Sequence, residues 1–248
     1  MKLDQHYVDP RLVALYDGNN PGAEDTEFYL QLAADLEASC ILDLGCGTGV
    51  LTRKLAAVAG RQVSGVDPAP SMLAHARQQP GAERVRWVEG NSSALGTPGA
   101  DLAVMTGNVA QVFLDDAEWN GTLRHLHAAL RPGGHLAFDS RRPEARAWEG
   151  WTRAATHERG DSIHGPLESW LEVVDVQPGR VHFVGHNVFL QTGENVVVDS
   201  ELRFHSQREI ADSLEEVGFT ITDVYGDWQR GPVTSESRVM VFVAGRGG

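Results

Sequence analysis

Cysteine is scarce in this chain: Cys40 and Cys46 are the two among 248 residues. They flank an apolar run, with no Cys-x-x-Cys spacing and no second cluster. That pattern excludes a disulfide scaffold and points to a reduced, cytoplasmic protein. Long hydrophobic runs are missing too. No stretch approaches ~18 uninterrupted apolar residues. The opening Met1-Lys2-Leu3-Asp4-Gln5-His6 has no apolar segment of signal-peptide length, so neither secretion nor membrane insertion is expected. Basic charge is also short. Lys and Arg total 21 against 34 Asp and Glu, a formal net charge of −13. The average field repels a polyphosphate backbone, so no nucleic-acid partner is expected. Repeats, charge blocks and low-complexity segments are absent.

What remains is an ordinary globular composition, 42% hydrophobic with 27 Gly and 11 Pro. A chain this long buries on the order of 70% of its unfolded surface and needs no staple. Short apolar runs alternate with helix-period stretches through the first two-thirds. Strands are expected at Cys40-Ile41-Leu42-Asp43-Leu44, at Gln62 to Asp67, at Val85 to Val88, at Asp101 to Thr106 and at His135 to Asp139. Helical spacing fills the gaps: Phe28, Leu32 and Leu36, then Leu51 to Val58, Ser71 to Gln79, and Trp119, Leu123, Leu126 and Leu130 before Pro132-Gly133-Gly134. Strand, helix, strand with short connections implies an α/β, doubly wound, mostly parallel sheet. The last third reads differently. Trp170 to Val176, Arg180 to Leu190 and Asn195 to Phe204 look antiparallel, followed by a helix at Gln207 to Val217 and strands at Phe219 to Tyr225 and Val239 to Ala244. One domain over 1–248 is expected: a helical cover (1–38), a core (39–142), an antiparallel insertion after strand five (165–206), and a closing helix and strand pair (207–248).

The strongest local signal is Leu42-Asp43-Leu44-Gly45-Cys46-Gly47-Thr48-Gly49, a strand running through three alternate glycines into a helix. Without a Cβ the backbone turns sharply and approaches a ligand closely. A bare strand-to-helix turn would have the same glycines. Asp67 ends the next strand about twenty residues on, where a carboxylate accepts hydrogen bonds from both hydroxyls of a ribose; before Pro68 it would also serve as a helix cap. A dinucleotide fingerprint needs its third glycine at position 50, which is Val50. A nicotinamide-dependent oxidoreductase therefore stays open only as an alternative.

Asp43 to Gly49, Gly65-Val66-Asp67 and Arg131-Pro132-Gly133-Gly134 together resemble class I S-adenosylmethionine-dependent methyltransferases, over nearly the whole chain. The resemblance implies a seven-stranded Rossmann-like sheet whose last strand is antiparallel, and S-adenosyl-L-methionine as cofactor. It implies that Asp67 holds the ribose and that Gly45, Cys46, Gly47 and Gly49 pack on the methionyl part. Asn91 and Ser92 would flank the adenine, with Asn91 replacing a more usual Asp. Thr106 would lie near the donor's amino group, and Tyr16, Asp43, Pro68, Met72 and Gln111 would complete its site.

At the acceptor end stand Asn108, on the turn after strand four, and Asp139 with Arg141 and Arg142 at the end of strand five. Two arginines there would clamp a carboxylate bidentately; a surface salt bridge to Glu144 is the plainer reading. Gly107-Asn108, Asp139-x-Arg141, Leu15-Tyr16 and the antiparallel insertion are also similar to glycine and sarcosine N-methyltransferases. Similar pieces occur in methyltransferases of amino sugars and other metabolites, so the class carries over and the acceptor does not. Asn108, Asp139 and Arg141 are the catalytic candidates. His182 and His186, i and i+4 in a strand, would lie about 13 Å apart, too far to share a metal; no metal site is expected. His164, His182 and His186 are candidate lid residues. Tyr7, Tyr16, Trp148, Trp151 and Trp170 read as core or cover. Methyl transfer to a small polar metabolite by a monomer or homodimer is the resulting expectation, with a cofactor-binding protein without turnover as the competing one.

Overall fold

The computed structural model describes residues 3–19, 23–96 and 99–247. It opens with three helices, α1 (Gln5–Val8), α2 (Pro10–Asn19) and α3 (Ala23–Asp35). Then β1 (Cys40–Leu44), α4 (Val50–Ala56), β2 (Gln62–Asp67), α5 (Pro70–Ala76), β3 (Val85–Glu89), β4 (Ala100–Met105), α6 (Asp116–Ala129) and β5 (Leu130–Arg141) follow in turn. A short helix α7 (Arg153–Thr156) leads into β6 (Glu158–Ser162), β7 (Gly165–Gln177), β8 (Arg180–Phe189) and β9 (Glu194–Arg203). The chain closes with α8 (Gln207–Val217), β10 (Phe219–Tyr225) and β11 (Val239–Arg246).

The main sheet has seven strands in the order β10-β11-β5-β4-β1-β2-β3. All pairings are parallel except those of β11, which runs antiparallel to both β5 and β10. Side-chain alternation decides its two faces. On β4, Leu102 and Val104 join Ile41, Val63, Phe28, Tyr29, Leu51 and Leu55 beneath α3 and α4. Ala103 and Met105 point the other way, to Trp119, Leu123 and Leu126 of α6 and Ile210 and Leu214 of α8. Because both faces are covered, the strands read as continuous apolar runs.

The second sheet, β6-β7-β8-β9, is wholly antiparallel and sits in the connection between β5 and α8. It is tied to the loop after β4: Arg180 Nη2 and Arg203 Nη1 both donate to the Leu114 carbonyl, at 2.5 and 3.4 Å. It is tied to the N-terminus as well, where Ser200 Oγ donates to Asp4 at 2.5 Å and Leu12 packs on Phe189 and Val198. The insertion and the N-terminal helices therefore meet above the carboxyl ends of the parallel strands.

Several boundaries differ from the sequence reading. The expected helix through Leu130 stops at Ala129, because Leu130 already pairs with Ala100 at the start of β5. β7 begins at Gly165 rather than Trp170, and β6 lies in a stretch to which the sequence reading assigned no element.

Candidate active site

β1 delivers the chain into the glycine loop with Gly45 N and Cys46 N both donating to Val66 O, at 2.7 and 3.3 Å. Gly45, Gly47 and Gly49 have φ of +76°, +53° and +76°, a region costly for any residue with a Cβ. Space dictates glycine at two of them as well. A methyl on Gly45 would lie 2.5 Å from Val109, and one on Gly49 2.3 Å from the Trp87 ring. On Gly47 it would meet nothing within 4 Å, so that edge of the loop faces open space.

Asp67 is buried at the end of β2. Its Oδ2 accepts from Gly47 N at 2.8 Å and its Oδ1 from Ala69 N at 2.8 Å. Burial raises its pKa above the usual carboxylate value, against the pull of those two N–H groups. The carboxylate thus faces the loop, and an ionised carboxylate has about four acceptor sites, of which the protein uses two. Asp43, one strand over, is also buried. Its Oδ2 accepts from Thr52 Oγ1 at 2.6 Å while Oδ1 has no partner, and burial pushes its pKa up to about 7. An orphaned oxygen beneath the loop, a second carboxylate with free lone pairs and an open edge at Gly47 fit an adenosyl donor with a cationic amino end. Cys46 contributes bulk to the loop, and its thiol is pushed up well above its usual pKa, mainly by burial.

The N-terminal helices close over this corner. Thr48 Oγ1 donates to Asp17 of α2 at 2.5 Å, and Ser71 Oγ to Val8 O at 2.8 Å. Val13 packs on Ala69 and Met72, with Tyr7 and Tyr16 against them. Tyr16 is pushed up to about 12, by burial first and then by Asp67. Half-buried Pro68 lies beside them.

Several expected donor contacts are redistributed. Met72 is fully buried between α2 and α5 and supports the site from behind. Asn91 is exposed, and its Oδ1 accepts from Ser93 N and Ser93 Oγ at 3.0 and 2.8 Å, so it caps its own turn. Ser92 turns to α6, with its Oγ 3.2 Å from Thr122 Oγ1 and 3.0 Å from His125 Nδ1, rather than to the cleft. Gln111, expected at the donor, is fully buried and joins the end of β5 to the insertion: it accepts from Arg141 Nη1 at 3.0 Å and donates to Arg203 O at 3.2 Å. Thr106 is half-buried at the end of β4.

Asp139, one of the catalytic candidates, has both oxygens engaged by the protein. It is buried, and its two oxygens accept from Tyr29 Oη at 2.9 Å, Gly107 N at 3.2 Å and Asn108 N at 2.8 Å. Burial raises its pKa to about 6 although those donors lower it. What it does is hold Asn108 in a left-handed conformation, φ +65°, on the turn after β4. Arg142 leaves Arg141 and pairs with Glu144 at 3.1 Å and Ser235 O at 3.0 Å, so the expected pair of arginines does not form. Trp151 sits 4.7 Å from Phe183 and its ring 5.6 Å from the Arg141 guanidinium. Sequence reasoning missed Tyr29, Asp17 and the site role of Tyr7; the inward helical phase of Tyr29 beside Phe28 and Leu32 was its one usable signal. His182 and His186 pair with Asp199 at 3.2 Å and Glu172 at 3.1 Å, and His164 sits by Phe189. A cavity of about 1300 Å³, lined in part by Trp148, Trp151, Val174 and Val181, borders the insertion rather than the loop.

Residues 41–134 match the family model described as methyltransferase domain, a span that contains the glycine loop, Asp67 and Asn108. Over that span the chain is similar to methyltransferase domains. Its fold is shared with an S-adenosylmethionine-dependent methyltransferase from Clostridium acetobutylicum ATCC 824, at a TM-score of 0.78 and 17% identity over 94% of this chain and 97% of that one. A demethylmenaquinone methyltransferase of Thermus thermophilus is 37% identical over 110 residues, 43% of this chain and 49% of the relative. The cypemycin N-terminal methyltransferase of a Streptomyces species is 28% identical over 220 residues, 85% of this chain and 84% of the relative. The chain spans half the length, or less, of the Thermus relative and of two others at 36% and 31% identity. None of these three is named as a glycine or sarcosine methyltransferase. Among the described residues no helix is long and apolar enough to cross a membrane, and no three His, Cys, Asp or Glu side chains cluster as a metal site.

Proposed function

We propose that the chain transfers the methyl group of S-adenosyl-L-methionine to nitrogen or oxygen of a small polar metabolite. One observation carries the reading: the Asp67 carboxylate is locked to Gly47 N at 2.8 Å, beside a loop edge open to a ligand. When bound, the donor supplies a methyl already activated by its sulfonium, with a neutral thioether as leaving group. The protein's task is then to hold donor and acceptor in line and keep water out. Asp67 accepts from the ribose hydroxyls, and Asp43 Oδ1 lies below the methionyl end. Asn108, held by Asp139, and Arg141 orient the acceptor from the ends of β4 and β5. Tyr7, Tyr16 and Trp151 wall the site from water. An amine acceptor must lose its proton to solvent or to the free acceptor pool, because Asp139 is taken up by its three donors. Nitrogen as one acceptor atom is supported by the printed name of the Streptomyces relative.

Calorimetry with S-adenosylhomocysteine tests the donor site. Asp67→Asn keeps the side chain's size and should weaken binding at least tenfold with the thermal midpoint within a few degrees. Unchanged affinity contradicts the site. Methyl transfer itself is read by mass spectrometry with an isotopically labelled donor, and the same thermal-shift series with nicotinamide dinucleotides should show no stabilisation.

A further inference from the structure

His6 on α1 is a titratable side chain to which the transfer described above gives no task. Its ring lies against Gly185 of β8, where a Cβ would sit 3.3 Å from His6 Cε1 and 3.7 Å from Nε2. Gly185 is not among the glycines with positive φ, so its backbone does not call for glycine. A glycine inside a strand then marks the close approach of another group, here the imidazole. His6 Nδ1 lies 4.0 Å from Asp4 Oδ1. Asp4 is itself fixed: Oδ1 accepts from His6 N at 3.0 Å, and Oδ2 from Ser200 Oγ of β9 at 2.5 Å. An imidazole, an acid and a hydroxyl that holds the acid are thus drawn together from the start of the chain and from the insertion.

This group overhangs the cleft. Tyr7, the next residue, packs with Tyr16 on Ala69 and Met72. Its phenol is raised first by burial and then by Tyr16, Asp4 and Asp67, and it also feels Arg141. On β8, Phe183 shares the face of Gly185 and packs on Trp151 at 4.7 Å, and that ring is 5.6 Å from the Arg141 guanidinium. His6 therefore stands on the roof between the donor corner and the end of β5. Burial lowers its pKa, against the pull of Asp4, so the ring is mostly neutral at pH 7 and one nitrogen can take a proton. Asp4 is the charged group acting on it. Gly185 of β8, Leu171 of β7 and Ser200 of β9 bring no charge, and α2 and α5 meet α1 through Val13, Tyr16 and Met72. The side chain is 33% exposed, which leaves it a path to exchange protons with water.

We infer that the acceptor is an amine, and that His6, held beside Asp4, takes the proton from its nitrogen and hands it to water. The inference rests on the methyl-transfer reading and deepens it by naming the reacting atom and the route of its proton. The acceptor's N–H bond breaks, its electron pair stays on nitrogen as the nucleophile, and the proton bonds to His6 Nε2. Asp4 stabilises the imidazolium until water removes the proton, which makes Asp4 a positioning residue. An imidazole suits an ammonium, whose pKa is about 8–10; an alcohol is far too weak an acid for it. The experiment uses the full chain, an isotopically labelled methyl donor and a deproteinised cell extract as acceptor pool, with the main labelled product followed by mass spectrometry. That product should carry its label on nitrogen. The wild-type rate should be level between about pH 7 and 8 and fall below pH 6.5 as His6 gains a proton. His6→Gln should be at least tenfold slower at pH 7, with Kd for S-adenosylhomocysteine within twofold. Its rate should climb roughly tenfold per pH unit as free amine takes over, and added imidazole should restore part of it. Asp4→Asn should move the acid limb to lower pH, in step with the His6 titration read by proton NMR. Label on oxygen, or a His6→Gln variant that keeps the wild-type rate or the wild-type pH profile, overturns the inference and leaves methyl transfer standing. Donor binding with no labelled product from wild type overturns both.

Discussion

A buried carboxylate has to be hydrogen-bonded or protonated, and two aspartates here show both outcomes. Asp139 has three donors around it and a pKa raised to about 6; Asp43 has one donor, one bare oxygen and a pKa raised to about 7. For each, the folded chain binds a proton more tightly than the unfolded one. Their contribution to stability is therefore full near pH 4 and declines as pH rises toward 6 or 7. Asp43→Asn should remove its part of that decline. Thermal or urea unfolding of wild type and variant across pH 4–8 should show the variant gaining relative stability with pH, by an amount on the order of 2–4 kcal/mol. Parallel profiles contradict the assignment. Tyr29→Phe removes the side-chain donor to Asp139 found among the described residues and should cost about 1–2 kcal/mol in urea unfolding. At this scale the sequence showed which acids matter, since both sit at strand ends. It did not show that Asp139 is spent on the Gly107–Asn108 turn, because Tyr29 lies 110 residues away.

Between β1 and α4 the loop's glycines answer to different constraints, and a matched pair of substitutions separates them. Gly49→Ala puts a methyl 2.3 Å from Trp87 at a φ of +76° and should cost more than ~2 kcal/mol in unfolding experiments. Gly47→Ala meets only the backbone penalty, about 1–2 kcal/mol, since nothing lies within 4 Å of the added methyl. Yet it projects where the donor would lie, so donor affinity should fall at least tenfold, measured by calorimetry. If Gly47→Ala binds the donor normally, that open edge is not part of the site. Buried parallel strands with glycine stops were legible because burial on both faces leaves continuous apolar runs. β6 was not: Glu158–Ser162 is an edge strand, exposed at all but its last residue, and carries no alternation to read. β5 was read too short because Arg131-Pro132-Gly133-Gly134 resembles a helix stop, whereas Leu130 already belongs to the strand.

Across the molecule, the site is assembled from pieces distant in sequence. α1 and α2 bring Tyr7, Tyr16 and Asp17; β1 and β2 bring the loop and Asp67; β5 brings Arg141; the insertion brings Arg203 O and Phe183. The juxtaposition of the glycine loop and Asp67 was legible, because a loop and the next strand's end are local features joined by one crossover. The acceptor corner was legible only as single residues. The partners of Gln111, Arg141 and Arg203, were not legible because they come from strands that only the tertiary fold brings to it. The central claim is that Asp67 and the Gly45–Gly49 loop hold an adenosyl donor. A crystal structure with S-adenosylhomocysteine measures it directly. The ribose hydroxyls should lie within about 3 Å of Asp67, with the methionyl part along Gly45 to Gly49. A ligand bound elsewhere, or with its ribose turned away from Asp67, contradicts the account.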